Sequence, residues 1–464
     1  MKEDFTIHNL FWKSPEEFLR YDPHLSKLSE LSLIYHSPLI KEISDAGHGI
    51  YILTGGRQVG KSTLLKLLIK KILNERKLQP KHIYYLPCDT ILDFKGLLFE
   101  IEQFCNPKNN SEPFMLILDE ISYVTEWERG IKSLADSGLF TQGMVIITGS
   151  DTYLLKKAMM AFPGRRGKAD KHDFHLHPLS FHEYVELKDS TLHSALQDTR
   201  EEFHENCTIT RNREEHAYGK LQKLFNEYLL CGGYLRAIND YAKDKSIHSA
   251  TYNTYIQWII GDILKRGKSE NYLHEIIKTL IPRIASQITW NDFASKLSIE
   301  HHQTVIDYID ILTRMDIVVV LQALIENKLE GAPKKAKKVH FFDPFIFHSL
   351  HGWVMSTKEP YTLSDKVLKS NSHVHNALIE GIVASLFHRN NKIFYIKAEK
   401  EVDIVLIKNN AFFPIEIKNS LSIDKKEIKQ ILKYKKGIVG YEGTTINTLD
   451  TITLMPIPLL AYCA

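Results

Sequence analysis

Long apolar runs are missing from this chain. Crossing a bilayer takes about 20 consecutive apolar residues, and the apolar stretches here, such as FMLILD and GMVIIT, fall well short of that. No transmembrane span and no membrane partner are therefore expected. The opening residues, MKEDFTIHNLFWKSPEEF, are broken by charges and hold no apolar core of signal-peptide length. Cysteine is sparse and unpatterned: Cys88, Cys105, Cys207, Cys231 and Cys463 form no CxxC pair. This argues against a disulfide framework and points to reduced thiols in a cytoplasmic protein. The sequence has no HExxH and no Cys/His zinc spacing. Asp173, His175 and His177 alternate on a strand-like run, His301 and His302 are adjacent, and all read as structural or exposed. An excess of one charge is lacking too. The net charge is only +3, so any basic surface must be local. Neither an internal repeat nor a low-complexity tract is present.

What remains is a globular composition, 44% hydrophobic and 25% charged, over 464 residues. At roughly 100–200 residues per domain, that length suits about three domains. From 49 to 150 strand-like runs alternate with helical patterns: Gly49–Thr54, His82–Leu86, Phe114–Leu118 and Met144–Thr148 are the strands. This order implies βαβ units and a mostly parallel sheet. The polar stretch from 186 to 216 reads as an insertion or loose connection. Helical periodicity returns over Lys220–Leu229, stops at Gly232-Gly233, and resumes from Ile247 to Leu264. Three short helical signals follow, LHEIIKTLIPRIAS, WNDFASKLS and HQTVIDYIDILTRM, then strands Ile317–Leu324 and Val339–Phe342. That is the order of a winged helix, with Lys334, Lys335, Lys337 and Lys338 expected at the wing tip. After 373 come a helix and strands Ile393–Ile396, Val402–Leu406 and Phe412–Ile417.

Gly55-Gly56-Arg57-Gln58-Val59-Gly60-Lys61-Ser62-Thr63 fits G-x-x-x-x-G-K-[ST] between a strand and a helix. Glycines let such a loop turn its N–H groups toward phosphate oxygens, and the helix N-terminus adds positive potential. Lys61 is expected on the β and γ phosphates of ATP, and Ser62 on Mg²⁺. Phe114-Met115-Leu116-Ile117-Leu118-Asp119-Glu120 is an apolar strand ending in two carboxylates, the Walker B pattern. Asp119 is expected beside the Mg²⁺, and Glu120 is placed to polarise the attacking water. At the end of the fourth strand, Thr148 and Ser150 compete for a sensor role at the γ-phosphate. Arg165 or Arg166, in Gly164-Arg165-Arg166-Gly167, offers a guanidinium for that phosphate in cis or in trans.

These motifs, with Leu176-His177-Pro178-Leu179-Ser180-Phe181-His182-Glu183-Tyr184 and Tyr228-Leu229-Leu230-Cys231-Gly232-Gly233-Tyr234, resemble the AAA-type ATPases that carry a DUF4143 C-terminal domain. Leu235 stands where that family usually has a proline. The resemblance implies an α/β fold: a P-loop AAA-type ATPase core with helical lid, a winged-helix domain and an α/β restriction-endonuclease-like C-terminal domain. The expected division is 1–40 N-terminal segment, 41–190 ATPase core, 191–265 linker and lid, 266–350 winged helix, and 351–464 nuclease-like domain.

In that last region Glu401-Val402-Asp403 precedes Glu416-Ile417-Lys418 by a hairpin's distance. Asp403, Glu416 and the carbonyl of Ile417 are placed to hold Mg²⁺. Period-two alternation puts Lys418 on the face of Glu416, and Glu380 on the preceding helix can complete the acidic group. The set Glu380, Asp403, Glu416 and Lys418 resembles the PD-(D/E)xK nuclease pattern. Lys425, Lys429, Lys433 and Lys436 recur as one basic helix face, with Ile428, Ile431 and Leu432 toward a core. Three readings stay open. The chain is an ATP-driven protein acting on double-stranded DNA, or an ATP-gated switch for a protein partner or homo-oligomer, or a metal-dependent nuclease controlled by its ATPase.

Overall fold

The structure, a computed structural model, describes residues 5–105, 112–149, 155, 162, 164–207, 209, 215–299, 301–370 and 372–464. The chain forms two compact units, Met1–His177 and Pro178–Ala464.

The first unit is built on five parallel strands: β1 (Gly49–Thr54), β2 (Ile83–Pro87), β3 (Phe114–Asp119), β4 (Gly143–Thr148) and β5 (Asp173–His175), in the order β2-β3-β4-β1-β5. Both faces are covered, which is why these strands read as continuous apolar runs rather than alternating ones. On one face Tyr51, Leu53, Met115, Ile117 and Ile146 pack on Leu64, Leu65, Leu68 and Ile72 of the helix Lys61–Asn74. On the other, Ile50, Ile52, Leu116, Leu118 and Ile147 meet Leu97 and Ile101 of Phe94–Phe104 and Ile131 and Leu134 of Trp127–Asp136.

The N-terminal segment belongs to this unit. Phe11 and Phe18 are fully buried beside the helix Lys61–Asn74. Asn9 acts as a substitute strand at the exposed side of β2: its Oδ1 accepts from the Tyr85 amide at 2.8 Å and its Nδ2 donates to the Tyr85 carbonyl at 2.9 Å. This closes part of an edge that would otherwise present open ladder groups. Lys66 is buried on the helix, pairs with Asp22 at 3.2 Å, donates to the His8 carbonyl at 2.8 Å and lies 3.6 Å from the centre of the Tyr85 ring.

In the second unit the stretch read as a loose connection contains a 17-residue helix, Ser190–Asn206. Asp189 caps it by accepting from the Leu192 amide, and Leu192, Leu196, Thr199 and Phe203 form its buried stripe. Four residues on a helical period were enough, but dense intervening charge masked them. The two sequence signatures flanking this helix dock on each other. The Leu179 amide donates to the Gly233 carbonyl at 2.8 Å, and Tyr228 donates to the Leu179 carbonyl at 2.9 Å. A Cβ on Gly233 would lie 2.1 Å from that carbonyl oxygen, so only glycine permits the approach. Asp343 accepts from the Gly233 amide at 2.8 Å and also caps the helix Pro344–Val354.

Helices Glu270–Leu280, Trp290–Ala294 and His302–Arg314 accompany a three-stranded antiparallel sheet of β6 (Gln287–Ile288), β7 (Val318–Gln322) and β10 (Lys337–Phe341), in the order β6-β10-β7. A small hairpin, β8 (Leu324–Ile325) with β9 (Glu330–Gly331), interrupts the connection between β7 and β10. Lys337 and Lys338 are therefore not at a wing tip. Both lie within β10 and are buried, Lys337 donating to the carbonyls of Pro333 and Lys335 and Lys338 fully enclosed. Only Lys334 and Lys335 of that group are exposed.

The C-terminal region is a six-stranded mixed sheet: β11 (Ile393–Lys397), β12 (Glu401–Lys408), β13 (Ala411–Lys418), β14 (Ile438–Tyr441), β15 (Asn447–Leu449) and β16 (Ile452–Pro456), in the order β11-β12-β13-β14-β16-β15. The first three strands form an antiparallel meander, and β13, β14 and β16 are parallel. The helix His373–His388 precedes them and is buried along most of its length. The expected basic helix face does not form. The helix there is only Lys429–Lys433, while Lys425 pairs with Asp450, Lys433 with Glu399, and Lys436 lies over the Phe412 ring. Ile428 and Ile431 do point into a core.

Candidate functional sites: a phosphate loop and a carboxylate cluster

The loop after β1 is shaped by residues in unusual backbone regions: Gly55 at φ 147°, Gln58 at 61° and Gly60 at 101°. A Cβ on Gly55 would stand 2.3 Å from the Leu176 carbonyl oxygen, so the loop must begin with glycine. Lys61 opens the following helix, is buried, and donates from Nζ to the carbonyls of Gly55 and Gly56, each at 3.0 Å. The ammonium is thus held across the mouth of its own loop.

The parallel strands bring the remaining groups to the same carboxyl ends of the sheet, where open α/β folds place their ligands. Ser62 Oγ donates to Asp119 Oδ2 at 2.8 Å. Thr148 Oγ1 donates to Asp119 Oδ1 at 2.5 Å and accepts from the Glu120 amide at 3.2 Å. Thr148 is fully buried, so its hydroxyl orients the Asp119 carboxylate and the Glu120 backbone from the neighbouring strand. Ser150 lies outside the described residues. Glu120 sits at φ 56°, a left-handed turn that swings its side chain away from the line of β3. A cavity of about 450 Å³ is lined by Arg57, Gln58, Lys61, Ser62, Thr63 and Glu120, together with His24, Asp89 and Tyr123.

Two features of this site carried no sequence motif. Tyr85, on β2 next to β3, donates its phenol to Asp119 Oδ2 at 2.5 Å. Burial, then the Asp119 charge, raises that phenol far above its ordinary range, so it remains a donor. His24, from the N-terminal segment, reaches the cavity rim, and burial lowers its pKa. Arg165 pairs with Asp136 at the end of the helix Trp127–Asp136. Arg166 forks onto Asp173 at 2.7 and 3.0 Å and also reaches the His172 carbonyl. Neither arginine lines the cavity beside Lys61.

Hard oxygen donors suit Mg²⁺, and the Ser62 hydroxyl with the Asp119 carboxylate supplies such a pair. The loop amides and the Lys61 ammonium fit a polyphosphate. The residues present therefore match a Mg²⁺–nucleoside triphosphate.

The second site lies in the C-terminal sheet. Asp403 on β12 accepts at Oδ2 from the Ile417 amide of β13 at 2.9 Å. Lys418 donates to Glu416 Oε1 at 2.6 Å, as their shared face required. Glu380 comes from the helix His373–His388. The fold gathers all four sequence-selected residues and adds three others. Lys338 Nζ lies 2.8 Å from Glu380 Oε1 and 3.3 Å from Asp403 Oδ1 and also pairs with Glu401, while Gln287 donates to Glu401. Burial, followed by the Asp403 charge, pushes the carboxyls of Glu380 and Glu416 upward. Burial opposes the Lys338 charge, but Glu380, Asp403 and Glu401 outweigh it and hold the ammonium protonated.

Residues 47–185 match the family described as AAA domain, 222–357 a domain of unknown function, DUF8612, and 372–460 another, DUF4143. The first region is thus similar to AAA domains. Two uncharacterized proteins of Methanocaldococcus jannaschii are similar. MJ1544 is 22% identical over 425 residues, covering 88% of this chain and 82% of its own. MJ1637 is 21% identical over 423 residues with the same coverage, 88% and 82%. Among solved structures, the Walker-type ATPase paby2304 of Pyrococcus abyssi is 16% identical and covers 68% of this chain and 94% of its own, with TM-score 0.42. The ORC1 protein of Aeropyrum pernix in complex with DNA is 10% identical over 75% of this chain and 97% of its own, with TM-score 0.32.

Proposed function

We propose that this chain binds ATP with Mg²⁺ at the Gly55–Thr63 loop, hydrolyses it, and passes the nucleotide state to its second unit, with double-stranded DNA as the partner. The observation that carries the ATPase reading is the convergence of Lys61, Ser62, Asp119 and Glu120 at one end of a parallel sheet. Lys61 and the loop amides hold the β and γ phosphates. Ser62 and Asp119 hold the metal, which when bound neutralises charge building up on the phosphates. Thr148 and Tyr85 keep the Asp119 carboxylate aimed. Glu120 takes a proton from the attacking water at its carboxylate. Arg165, paired with Asp136, has to leave that partner to reach a γ-phosphate, in cis or in trans.

Lys61→Ala is expected to lose ATP binding. Glu120→Gln is expected to bind ATP normally and turn over slower by about 10²–10⁴-fold, the usual worth of a general base. Normal hydrolysis by Glu120→Gln removes the proposed role.

The DNA reading draws on the element order helix, β6, helix, helix, β7, β10 and the sheet order β6-β10-β7, which together suit a winged helix. The antiparallel meander leading into parallel β14, with its carboxylates, suits a nuclease-like fold. Duplex DNA should raise ATP turnover and bind with affinity that falls steeply with salt. No stimulation and no salt-dependent binding would sink this output.

The second reading, a switch acting on a protein partner with an inactive C-terminal domain, has its own support. The helix His302–Arg314, which a winged helix would lay on DNA, carries Asp307 and Asp310, and the wing exposes Glu326 and Glu330 beside Lys328, Lys334 and Lys335. Stimulation of turnover by a protein but not by DNA would select it.

A further inference from the structure

We propose that Lys338 is a built-in cation that closes the metal site of the C-terminal sheet: strand β10 carries its ammonium to the point among Glu380, Glu401 and Asp403 where a divalent ion would be held. An ammonium has three N–H donors, and Lys338 meets one carboxylate with each. Its side chain is fully enclosed. It cannot be a mobile surface lysine that strays into the cluster. Lys338 pairs with Gln287 of β6 on one side and Leu321 of β7 on the other. Gln287 in turn reaches Glu401, so the ladder neighbour of Lys338 grips the same acidic group.

Charge counting points the same way. Among the described residues Glu380, Glu401, Asp403 and Glu416 face only Lys338 and Lys418 as ammonium partners in this cluster. Removing Lys338 would leave four carboxyl groups beside one lysine, mostly out of water, and that cluster must then take up protons or another cation. Glu416 keeps one buried oxygen, Oε2, with no hydrogen-bond partner among the described residues, so the cluster has an oxygen to offer an ion beyond those that Lys338 uses. The ammonium and a divalent ion compete for the same Glu380 and Asp403 oxygens, and one excludes the other. The domain therefore takes up a divalent ion at those oxygens only when the Lys338 ammonium is displaced. This inference rests on reading the cluster as a cation site and not on DNA cleavage or ATP turnover.

Mn²⁺ titration of the full chain without nucleotide tests it, read by the paramagnetic signal of unbound Mn²⁺. Lys338→Met should bind one more Mn²⁺ per chain than wild type, and Lys338→Met/Asp403→Asn should lose that ion. Mn²⁺ should raise the unfolding temperature of Lys338→Met more than that of wild type. Folded Lys338→Met that gains no Mn²⁺ overturns the proposal. If Lys338→Met does not fold, the charge-balanced Lys338→Met/Glu401→Gln chain takes its place. If neither folds, wild type against Asp403→Asn decides. Equal Mn²⁺ uptake upholds the closed site, and loss of one ion on Asp403→Asn overturns it. Mn²⁺ uptake by Lys338→Met without DNA cleavage leaves the inference standing and removes only a nuclease activity.

Discussion

Tyr85 and Asp119 share a hydrogen bond across neighbouring strands: the phenol at the end of β2 donates to the carboxylate oxygen that also receives the Ser62 hydroxyl. The aim of the Asp119 carboxylate thus depends here on a residue outside every motif. Hydrogen bonds to charged groups are worth about 1.5–3 kcal/mol. Tyr85→Phe should therefore raise the Mg²⁺ concentration needed for half-maximal turnover by about tenfold, while metal-free nucleotide binding stays the same. Titrating ATPase rate against Mg²⁺ checks this, and an unchanged midpoint would show that Tyr85 only packs.

Lys66 and Asp22 join the N-terminal segment to the phosphate-loop helix through a buried ion pair. Breaking such a pair from one side strands the other charge. Lys66→Met should cost about 3–5 kcal/mol, and Lys66→Met/Asp22→Asn should recover part of it. Denaturant unfolding of the two variants gives the comparison. Equal losses would mean that the pair itself matters little.

Gly233→Ala should fail where most exposed glycine replacements are mild. Its Cβ would meet the Leu179 carbonyl oxygen at 2.1 Å, and backbone cannot yield as a flexible side chain does. Overpacking of this kind costs about 1–3 kcal/mol or more. The thermal midpoint of the second unit should fall, while ATP binding at the first unit persists. A midpoint equal to wild type would contradict the tight docking of these two loops.

His340 is buried beneath Lys338, with no hydrogen-bond partner for either ring nitrogen among the described residues. Burial, then the Lys338 charge, lowers its pKa to about 3. Between its unfolded value near 6.5 and about 3, the unfolded chain takes a proton that the folded chain refuses. Stability from this residue is therefore complete above pH 6.5 and falls as pH drops through that window, by about 1.4 kcal/mol per pH unit. His340→Met should flatten the acid side of the stability profile. Parallel profiles for wild type and variant between pH 6.5 and 4.5 would refute the assignment.

The phosphate loop, the Walker B strand and the parallel order of β1 to β4 were legible because each is local. A glycine loop, an apolar strand and a terminal carboxylate are adjacent in the chain, and the sheet needs only those pieces to meet. The hairpin carrying Asp403, Glu416 and Lys418 was legible for the same reason, since period-two alternation sets its faces. Lys337 and Lys338 were misplaced because a lysine-rich stretch resembles a solvated turn. Their burial follows from β10 being the central strand of its sheet. The helix Ser190–Asn206 was missed because its five buried residues are diluted by exposed charge.

The sequence by itself determined the chemistry that short-range order can encode: which loop holds phosphate, which strand ends in carboxylates, and which residues share a strand face. Tertiary structure decided the partners that lie far apart in the chain. It set Tyr85 and Thr148 on Asp119, Asn9 on the edge of β2, and Lys338 among Glu380, Glu401 and Asp403. A buried charge must find an opposite charge wherever the packed chain supplies one, and residue spacing along the sequence does not reveal where that will be.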